Sequence, residues 1–320
     1  MVDRYCEALS LSLNRNELIS ECCTLVAEVI GASPESICIF PNATYAVNEL
    51  ALSLNRDSEV YLTDLEHSSN HAIWITQYKN VSFLVHQDLI NQPLSSKPSI
   101  YSLSLMSNLE GKSISLSAIE EKFRNTSHTL VLDATQYVRH QIPLPTRADY
   151  LFFSLHKILG PNGIGILYSR RPNPELGLGI LNMKSKSDCE LDLCALYAWN
   201  KSFPLILEDW KNGISREKEM YQYFLSNFPD NEYVELVNTD TEGSIFLLKV
   251  KWEGLSSHDY AFYLAKNNVI VRAGLSCSWI SSERYDSRKV FRVSLSPENT
   301  REEIDFLFFL IKKFEILDCF

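Results

Sequence analysis

Apolar runs of strand length alternate with stretches of helical periodicity through the first half of the chain. Residues 14–30 carry apolar side chains at helical spacing, and Gly31 provides a typical helix stop. Short β-rich runs, each with a turn or helix after it, predict strands at 36–40, 59–67, 82–87, 99–107, 129–136, 149–154 and 163–169. Helices are predicted between them at 46–54, 71–80 and 115–125. The last has a capping-box pattern at Ser117 and Glu120. This alternation indicates an α/β layer structure with a mostly parallel sheet.

The pattern changes near residue 230. Residues 187–227 are predicted to be helical, and four strands of antiparallel type follow, at 233–238, 244–252, 269–274 and 290–296. A final amphipathic helix is predicted at 301–314. We therefore predict a large α/β domain at 15–220 and a smaller C-terminal α+β domain at 221–320, which also takes in residues 1–14.

Composition and charge limit the function classes. Apolar residues make up 45% of the chain and charged residues 22%, as in an ordinary soluble globular protein. A net charge of −10 argues against nucleic acid or an anionic membrane as a partner. No apolar run reaches the length of a membrane span. The N-terminus is too polar and acidic for a signal peptide, so we expect a cytoplasmic protein.

The cysteines indicate neither a zinc site nor a small disulfide scaffold. Eight are present, at positions 6, 22, 23, 38, 189, 194, 277 and 319, and their spacing fits neither pattern. In a chain without an export signal we expect most of them to be reduced and buried. We predict no metal site.

The segment 129–168 contains the strongest chemical signal. Two successive predicted strands lead to polar side chains, namely Asp133, Gln136, Ser154, His156 and Lys157. Ligands of parallel α/β sheets bind beyond the carboxyl ends of the strands, so these groups would face one crevice. Pyridoxal phosphate (PLP) needs a lysine amine for its Schiff base, an acid beside the pyridine nitrogen and donors for the phosphate. A lone lysine would be a solvated charge and a lone aspartate a turn residue, but the combination predicts a PLP site.

This segment resembles the cofactor segment of class V aminotransferases, particularly the cysteine desulfurases and selenocysteine lyases, which are PLP enzymes. The resemblance implies that Lys157 carries the cofactor covalently and that Asp133 pairs with the pyridinium nitrogen. It also implies that Gln136 contacts the phenolic oxygen of the cofactor. Ser154 and His156 would bind its phosphate.

Two segments nearer the N-terminus follow in the family's order. Residues 41–52 are similar to the family's phosphate-binding turn, which places Ala43 and Thr44 at a helix N-terminus. Taken alone, this turn is a simple helix cap. The stretch DLEHSSNHAIW matches the family pattern Glu-His-x-x-Asn-x-x-x-Trp, which implies that His67 stacks on the pyridine ring and takes part in catalysis. A histidine taken alone is more often structural.

Three further residues are implied to bind the substrate. The stretch SNLEGK resembles the loop whose asparagine, here Asn108, lies close to cofactor and substrate. VIVRAGLSCSW and VFRVSLSPENTREEID match two C-terminal segments of the family, and they place Arg272 and Arg292 in the substrate site. Arg292 would bind the substrate carboxylate, a task suited to a planar bidentate donor. Taken alone, Arg292 is a strand arginine in a surface ion pair.

Cys277 distinguishes between the reactions that PLP supports. Desulfurases that resemble this chain carry their persulfide-forming cysteine at the matching place. Such a thiolate would attack the substrate sulfur and leave alanine and an enzyme persulfide. Leu275 and Ser276 stand where the close desulfurases tend to have histidines, so a cysteine without a catalytic role stays an alternative.

The resemblance implies the fold type I architecture of PLP enzymes, with a mainly parallel seven-stranded sheet in the large domain. It also implies an amino acid substrate, a homodimer and a sulfur-acceptor protein as a further partner. The chain begins after a segment that helps to close the substrate site in the family, and a Gly-Thr-Pro-like segment is not evident at 197–210. We therefore expect a more open active site. Aminotransferase, epimerase, decarboxylase and C–S lyase activities remain alternatives, as does a non-catalytic PLP-fold partner protein.

Overall fold

The structure, a computed structural model, describes residues 1–140, 146–172, 191–239 and 243–316. Its helices are α1 (Val2–Ala8), α2 (Arg15–Ile30), α3 (Ala43–Ser53), α4 (Ser68–Gln77), α5 (Leu116–Lys122), α6 (Leu193–Asn227), α7 (Ser257–Lys266) and α8 (Arg301–Lys313). Its strands are β1 (Ile37–Phe40), β2 (Val60–Thr63), β3 (Val81–Leu84), β4 (Ile100–Ser104), β5 (Thr129–Asp133), β6 (Tyr150–Ser154), β7 (Gly165–Ser169), β8 (Val234–Leu236), β9 (Ile245–Val250), β10 (Arg272–Ala273) and β11 (Val290–Ser294). The cysteines at 189 and 319 lie outside the described residues. Within those residues, no helix combines the length and the apolar character needed to cross a membrane.

Contacts divide the chain into two compact units, Met1–Leu105 with Ile114–Lys211 and Met106–Ser113 with Asn212–Phe320. The division falls inside α6. Residues 1–14, which we predicted to join the C-terminal domain, lie in the first unit instead. Polar contacts hold them there, since Tyr5 donates to Asp192 at 3.1 Å and Tyr197 donates to Glu7 at 3.2 Å.

The first unit is built on a seven-stranded sheet in the order β1-β7-β6-β5-β4-β2-β3. The strands from β6 to β3 in this order run parallel to one another, and β7 is antiparallel to both β6 and β1. The predicted seven-stranded, mainly parallel sheet is therefore confirmed. Because β1 runs in the same direction as β6, the carboxyl ends of β1, β2, β5 and β6 lie at one edge of the sheet.

Helix ends in the first unit follow from local chemistry. Asn14 caps α2, and Gly31 ends it in the left-handed conformation with φ of 71°, so the predicted helix is confirmed. The predicted capping box at Ser117 is wrong, because α5 has Ser115 as its N-cap. Glu120 is not available as the second half of a box, since its carboxylate accepts from a threonine hydroxyl of a later loop at 2.7 Å.

The second unit contains a four-stranded antiparallel sheet in the order β10-β11-β9-β8. Successive residues of β9 face opposite sides, as the strand periodicity requires. Phe246 and Leu248 enter the main core with α7, α8 and the end of α6, where the rings of Phe224 and Phe246 stack at 3.8 Å. Leu247 faces the other way and packs with Leu109. The segment 106–113 is thereby anchored on the second face of this sheet.

Candidate active site

Residues predicted to bind the cofactor follow four strand ends at one edge of the first unit's sheet. Ala43 and Thr44 follow β1, His67 follows β2, Asp133 and Gln136 lie at and after the end of β5, and Ser154, His156 and Lys157 lie at and after the end of β6. This edge is where ligands bind in open α/β sheets.

Lys157 lies on a short 3₁₀ turn, Leu155–Ile158, that leaves β6. The turn ends at Leu159 in the left-handed conformation with φ of 64°, which side chains other than glycine rarely adopt. The Gly160 amide donates to the Leu155 carbonyl oxygen at 2.9 Å. A Cβ on Gly160 would come within 2.6 Å of that oxygen, so only glycine fits. The turn therefore fixes the half-buried Lys157 close to the strand end.

Asp133 is a buried carboxylate whose negative charge is only partly compensated. It is 5% exposed, and its Oδ1 accepts from the Thr135 amide at 2.8 Å. Burial raises the pKa of Asp133, while hydrogen bonding to Thr135 and the charge of Lys157 act in the lowering direction. The raised pKa means that the negative charge is not fully compensated. A cationic N–H donor, such as a pyridinium nitrogen, would supply the missing compensation.

The N-terminus of α3 is arranged as an anion site next to the end of β6. The Ala43 amide donates to Ser154 Oγ at 2.9 Å, and the side chain of Asn42 accepts from the Tyr45 amide at 2.8 Å. In the described part of the chain no group accepts from the amide of Thr44, an exposed residue. That amide, the Ser154 hydroxyl proton and the positive end of the helix dipole are therefore available to a phosphate.

Two further features shape this anion site. Gly165 opens β7 directly behind it, where an added Cβ would lie 2.2 Å from the main-chain carbonyl carbon of Asn42, so no larger residue fits. His156 lies beside Lys157, and its pKa is lowered first by partial burial and then by the lysine charge. His156 is therefore neutral near pH 7 and has one ring N–H to donate to a phosphate oxygen.

His67 is the N-cap of α4. Its Nδ1 accepts from the Ser69 amide at 3.1 Å and lies 2.7 Å from Ser69 Oγ. An Nδ1 that accepts from an amide places the proton of the neutral ring on Nε2. The structure thus gives His67 a structural role, and stacking on the cofactor ring stays a prediction.

Glu66, which we did not predict as a site residue, lies at the centre of a buried polar network beside His67. The Glu66 carboxylate accepts from the hydroxyls of Thr63 and Ser104 at 2.6 Å each. It also accepts from the Asn70 carboxamide at 2.6 Å. Burial raises the pKa of Glu66, and the hydrogen bonds act in the opposite direction. The sequence signal for this network is the family pattern Glu-His-x-x-Asn-x-x-x-Trp, in which Glu66 precedes the N-cap of α4 and Asn70 lies in its first turn.

The chemistry of this donor set fits PLP. Lys157 would supply the amine, Asp133 the buried acid, and the N-terminus of α3 with Ser154 the phosphate site. When bound there, PLP would supply an electron sink for bond changes at the substrate α-carbon. Among the described residues, no cluster of histidine, cysteine and carboxylate side chains could hold a metal ion.

The second unit brings together Asn108 and Arg292. Asn108 is 5% exposed, and its Nδ2 donates to the carbonyl oxygen of Ser276 at 2.5 Å. Its own main-chain carbonyl accepts from Arg292 Nη1 at 2.6 Å. Asn108 Oδ1 and Arg292 Nε are buried and have no hydrogen-bond partner within the described residues. A substrate that reached these two buried atoms would supply the partners that they lack.

The second unit also brings Arg272 next to Arg292, because the two are Cα partners on β10 and β11. The pKa of Arg292 is lowered first by burial and then by the Arg272 charge, and the Cys277 thiolate acts in the raising direction. The described residues show no acidic side chain in an ion pair with Arg292, which separates it from an ordinary surface arginine. An anion bound by these guanidinium groups would relieve their repulsion.

Cys277 is exposed in the segment between β10 and β11. Ser276 and Cys277 have φ values of 50° and 64°. Two successive non-glycine residues in the left-handed region store strain that the surroundings must hold in place. The structure therefore presents Cys277 on a loop of imposed shape.

Comparison with known proteins identifies the family. The profile of the family described as Aminotransferase class-V matches residues 4–177 and 193–307. A protein of Ureaplasma parvum named "Probable cysteine desulfurase" is 24% identical, over 96% of this chain and 85% of its own length. A protein of Borreliella burgdorferi with the same name is 28% identical, over 90% of this chain and 79% of its own.

Solved structures show the same fold. The cysteine desulfurase CsdA from Escherichia coli superposes with a TM-score of 0.80 at 17% identity, over 96% of this chain and 89% of that one. The cystine C–S lyase C-DES superposes with a TM-score of 0.75 at 16% identity, over 94% and 87%. Since the family profile matches most of the chain and the sheet is that of fold type I, this protein belongs to the class V aminotransferase family and is a PLP-dependent enzyme.

Proposed function

We propose that this enzyme is a cysteine desulfurase, which takes the sulfur of L-cysteine onto Cys277. The observation that carries the proposal is the placement of Cys277, an exposed residue on a strained loop. Its thiolate is close enough to Arg292 to act on the pKa of that guanidinium. The relatives from Ureaplasma parvum and Borreliella burgdorferi carry the name of this activity, which supports the same reaction here.

Sulfur transfer requires a thiolate at the substrate sulfur. An S–S bond forms between Cys277 and that sulfur while the substrate Cβ–S bond breaks. The electron pair of the broken bond stays with the carbon fragment, which takes up a proton and leaves as alanine. Cys277 keeps the sulfur as a persulfide.

Lys157 is suited to move the protons of this reaction. Its Cα stands on a turn that Gly160 closes tightly on Leu155, so the main chain that carries the amine is fixed just after the end of β6. A fixed general base contributes more to a proton transfer than a mobile one, because its orientation is set before the reaction. Lys157 would remove the proton from the substrate α-carbon and return one to the product.

Arg292 and Asn108 are suited to bind the substrate carboxylate. Arg292 already has one guanidinium nitrogen fixed on the Asn108 carbonyl, while its buried Nε is left to donate. A guanidinium held in this way can offer a fixed direction of approach to a carboxylate oxygen. Asn108 Oδ1 remains as an acceptor, which suits an N–H group of the substrate.

A C–S lyase is the second candidate, and the residues before Cys277 favour it. Leu275 and Ser276 provide no titratable ring beside the thiol, whereas the desulfurases that this chain resembles have histidines there. Without that support, the substrate sulfur would leave as sulfide, and the carbon fragment would leave as pyruvate and ammonia after hydrolysis. Cys277 would then have no part in the reaction.

Product analysis separates the two candidates. PLP-loaded enzyme is given L-cysteine beside a Cys277→Ser variant, and alanine, pyruvate, sulfide and protein-bound persulfide are measured. A desulfurase forms alanine and a persulfide that disappears in the variant. Equal amounts of pyruvate and sulfide from both proteins would refute the desulfurase and establish the lyase. Absence of turnover would move the search to transamination, epimerisation and decarboxylation of other amino acids.

A second experiment tests the cofactor lysine. Lys157→Ala should lose the absorbance band of the covalently bound cofactor, and retention of that band would refute the assignment of Lys157.

Size-exclusion chromatography with light scattering tests the proposed homodimer. We also propose a sulfur-acceptor protein as a partner, because the persulfide on Cys277 must pass its sulfur to an acceptor. We propose a cytoplasmic location because a reactive thiol needs a reducing compartment.

A further inference from the structure

The segment that carries Cys277 is tied down on both sides of the cysteine. On the N-terminal side, Asn108 Nδ2 donates to the Ser276 carbonyl oxygen at 2.5 Å. On the C-terminal side, Arg284 Nη2 donates to Glu110 Oε1 at 2.5 Å. Both ties lead to the same short segment, so the loop is closed against a single support.

That support is rigid. The Ser107 amide donates to the Lys112 carbonyl at 2.8 Å and the Gly111 amide to the Ser107 carbonyl at 3.1 Å, which folds the segment into a tight turn. The side chain of Asn238 donates to the Glu110 carbonyl oxygen. Glu110 itself is only 1% exposed. A loop bound at two points to such a turn loses most of its freedom to rearrange.

We propose that Glu110 and Arg284 form a positioning pair that holds Cys277 in place for sulfur transfer. The inference rests on the proposed function, in which Cys277 accepts the sulfur. Ser276 and Cys277 occupy the left-handed region, and a backbone in that region relaxes unless both flanks are fixed. The Asn108 tie fixes one flank, and the Glu110–Arg284 pair fixes the other. Arg284 is a positioning residue, since it acts on the substrate only through the cysteine.

The chain itself provides the control. Glu110 has a second cation, Lys112 Nζ, 3.1 Å from its other carboxylate oxygen. Lys112 lies on the same segment as Glu110 and therefore ties nothing to the Cys277 loop. Lys112→Met and Arg284→Met each remove one cation from the same buried carboxylate, but only Arg284→Met removes a tie to the loop, which keeps the contact of Tyr285 with Glu110 in both variants.

Hydrogen exchange of the PLP-loaded enzyme tests the tie without reference to activity. The amides of Ser278, Ser281 and Tyr285 are bonded within the loop, with N···O distances of 2.8, 3.0 and 2.9 Å. In Arg284→Met we expect these amides to exchange at least about tenfold faster. In Lys112→Met we expect wild-type exchange, and in Arg284→Lys an intermediate rate. Wild-type exchange in Arg284→Met, or equal acceleration in Lys112→Met, would overturn the proposal.

Kinetics with L-cysteine test the consequence for sulfur transfer. Displacing a reacting group costs turnover rather than substrate binding, so Arg284→Met should lower kcat about 100-fold with KM changed less than about twofold. Arg284→Met alone could fail to fold, because it leaves the buried Glu110 carboxylate without this partner. The double variant Glu110→Gln/Arg284→Met removes that buried charge as well, and it should show the same loss of kcat. A wild-type kcat in the double variant refutes the positioning role. Full activity of Cys277→Ser would instead refute the desulfurase, whereas the hydrogen-exchange result would still hold. Failure of the proposed function and failure of the positioning pair can therefore be distinguished.

Discussion

Arg272 and Arg292 face each other as Cα partners across the ladder between β10 and β11. Like charges placed directly opposite each other destabilise a sheet. Arg272 is exposed whereas Arg292 is half-buried, and burial together with the Arg272 charge lowers the pKa of Arg292. An anion close to both guanidinium groups would relieve this repulsion, so a bound substrate carboxylate would recover the cost that the pair has in the free protein.

Removing Arg272 should therefore stabilise the substrate-free protein and weaken the enzyme. We expect Arg272→Met to raise the free energy of unfolding by about 0.2–1 kcal/mol at low salt, with a smaller gain at high salt because salt screens the repulsion. Thermal unfolding at two ionic strengths measures both values, and KM for L-cysteine should rise. The control is Arg301→Met, which removes an arginine paired with Glu219 at 2.5 Å and should bring no gain. A lower melting temperature for Arg272→Met at low salt would contradict the prediction.

Ser154→Ala tests the link between the N-terminus of α3 and the cofactor phosphate. The variant leaves the buried Ala43 amide without its acceptor, which should cost about 1–3 kcal/mol of stability. It also removes a phosphate donor, so PLP affinity measured by fluorescence titration should fall. Ser256→Ala removes the N-cap of α7 in the other unit, and is expected to lower stability similarly without changing PLP affinity. Equal PLP affinity in wild type and Ser154→Ala would exclude Ser154 from the phosphate site.

Comparing the stability of Asp133→Asn and wild type at several pH values should show how much the buried Asp133 charge destabilises the folded protein. Burial raises the pKa of Asp133 in the folded protein above the 3.8 of the unfolded chain. Above the raised pKa both states are ionised, and the folded state bears the cost of the buried charge. As pH falls through the raised folded pKa, the folded state binds a proton first and gains stability until the unfolded chain is also protonated.

The PLP-free Asp133→Asn variant should therefore melt above wild type at pH 7, with a difference that narrows as pH approaches 4. With saturating PLP the wild type should instead have the higher melting temperature at pH 7, because only the carboxylate compensates a pyridinium charge. Differential scanning calorimetry of both proteins, with and without PLP, measures all four states. A constant difference between the two PLP-free proteins from pH 7 to pH 4 would show that Asp133 is not an uncompensated charge.

The first unit's sheet was accessible from the sequence because strands buried on both faces are apolar throughout. β5 and β6 end where their apolar runs end, at Asp133 and Ser154, so the sequence alone places these two side chains at one edge of the sheet. Helix starts were predicted less well. The capping box predicted at Ser117 and Glu120 was wrong, because α5 has Ser115 as its N-cap and Glu120 accepts from a later loop.

Contacts between distant residues explain what the sequence did not predict. Glu110 and Arg284 are 174 positions apart, and neither lies in a repeated or periodic pattern that would suggest a pair. The assignment of 106–113 to the second unit has the same origin, since it depends on bonds such as that from Arg292 to the Asn108 carbonyl. Cap spacing and apolar periodicity carry only local information, so neither could reveal these contacts.

Glu66→Gln tests whether the buried network beside His67 depends on a carboxylate. Every contact to the Glu66 side chain comes from a donor, including the hydroxyls of Thr63 and Ser104 and the carboxamide of Asn70. A glutamine replaces one acceptor oxygen by an NH₂ group, so at least one buried donor loses its partner, at about 1–3 kcal/mol. Denaturant unfolding should show this loss, whereas Glu121→Gln, at an exposed i,i+3 ion pair with Arg124, should change stability by less than about 0.5 kcal/mol. His67 caps α4 directly after Glu66, so a looser network should also lower turnover. If Glu66→Gln kept both the stability and the turnover of the wild type, the network would play no part in positioning His67.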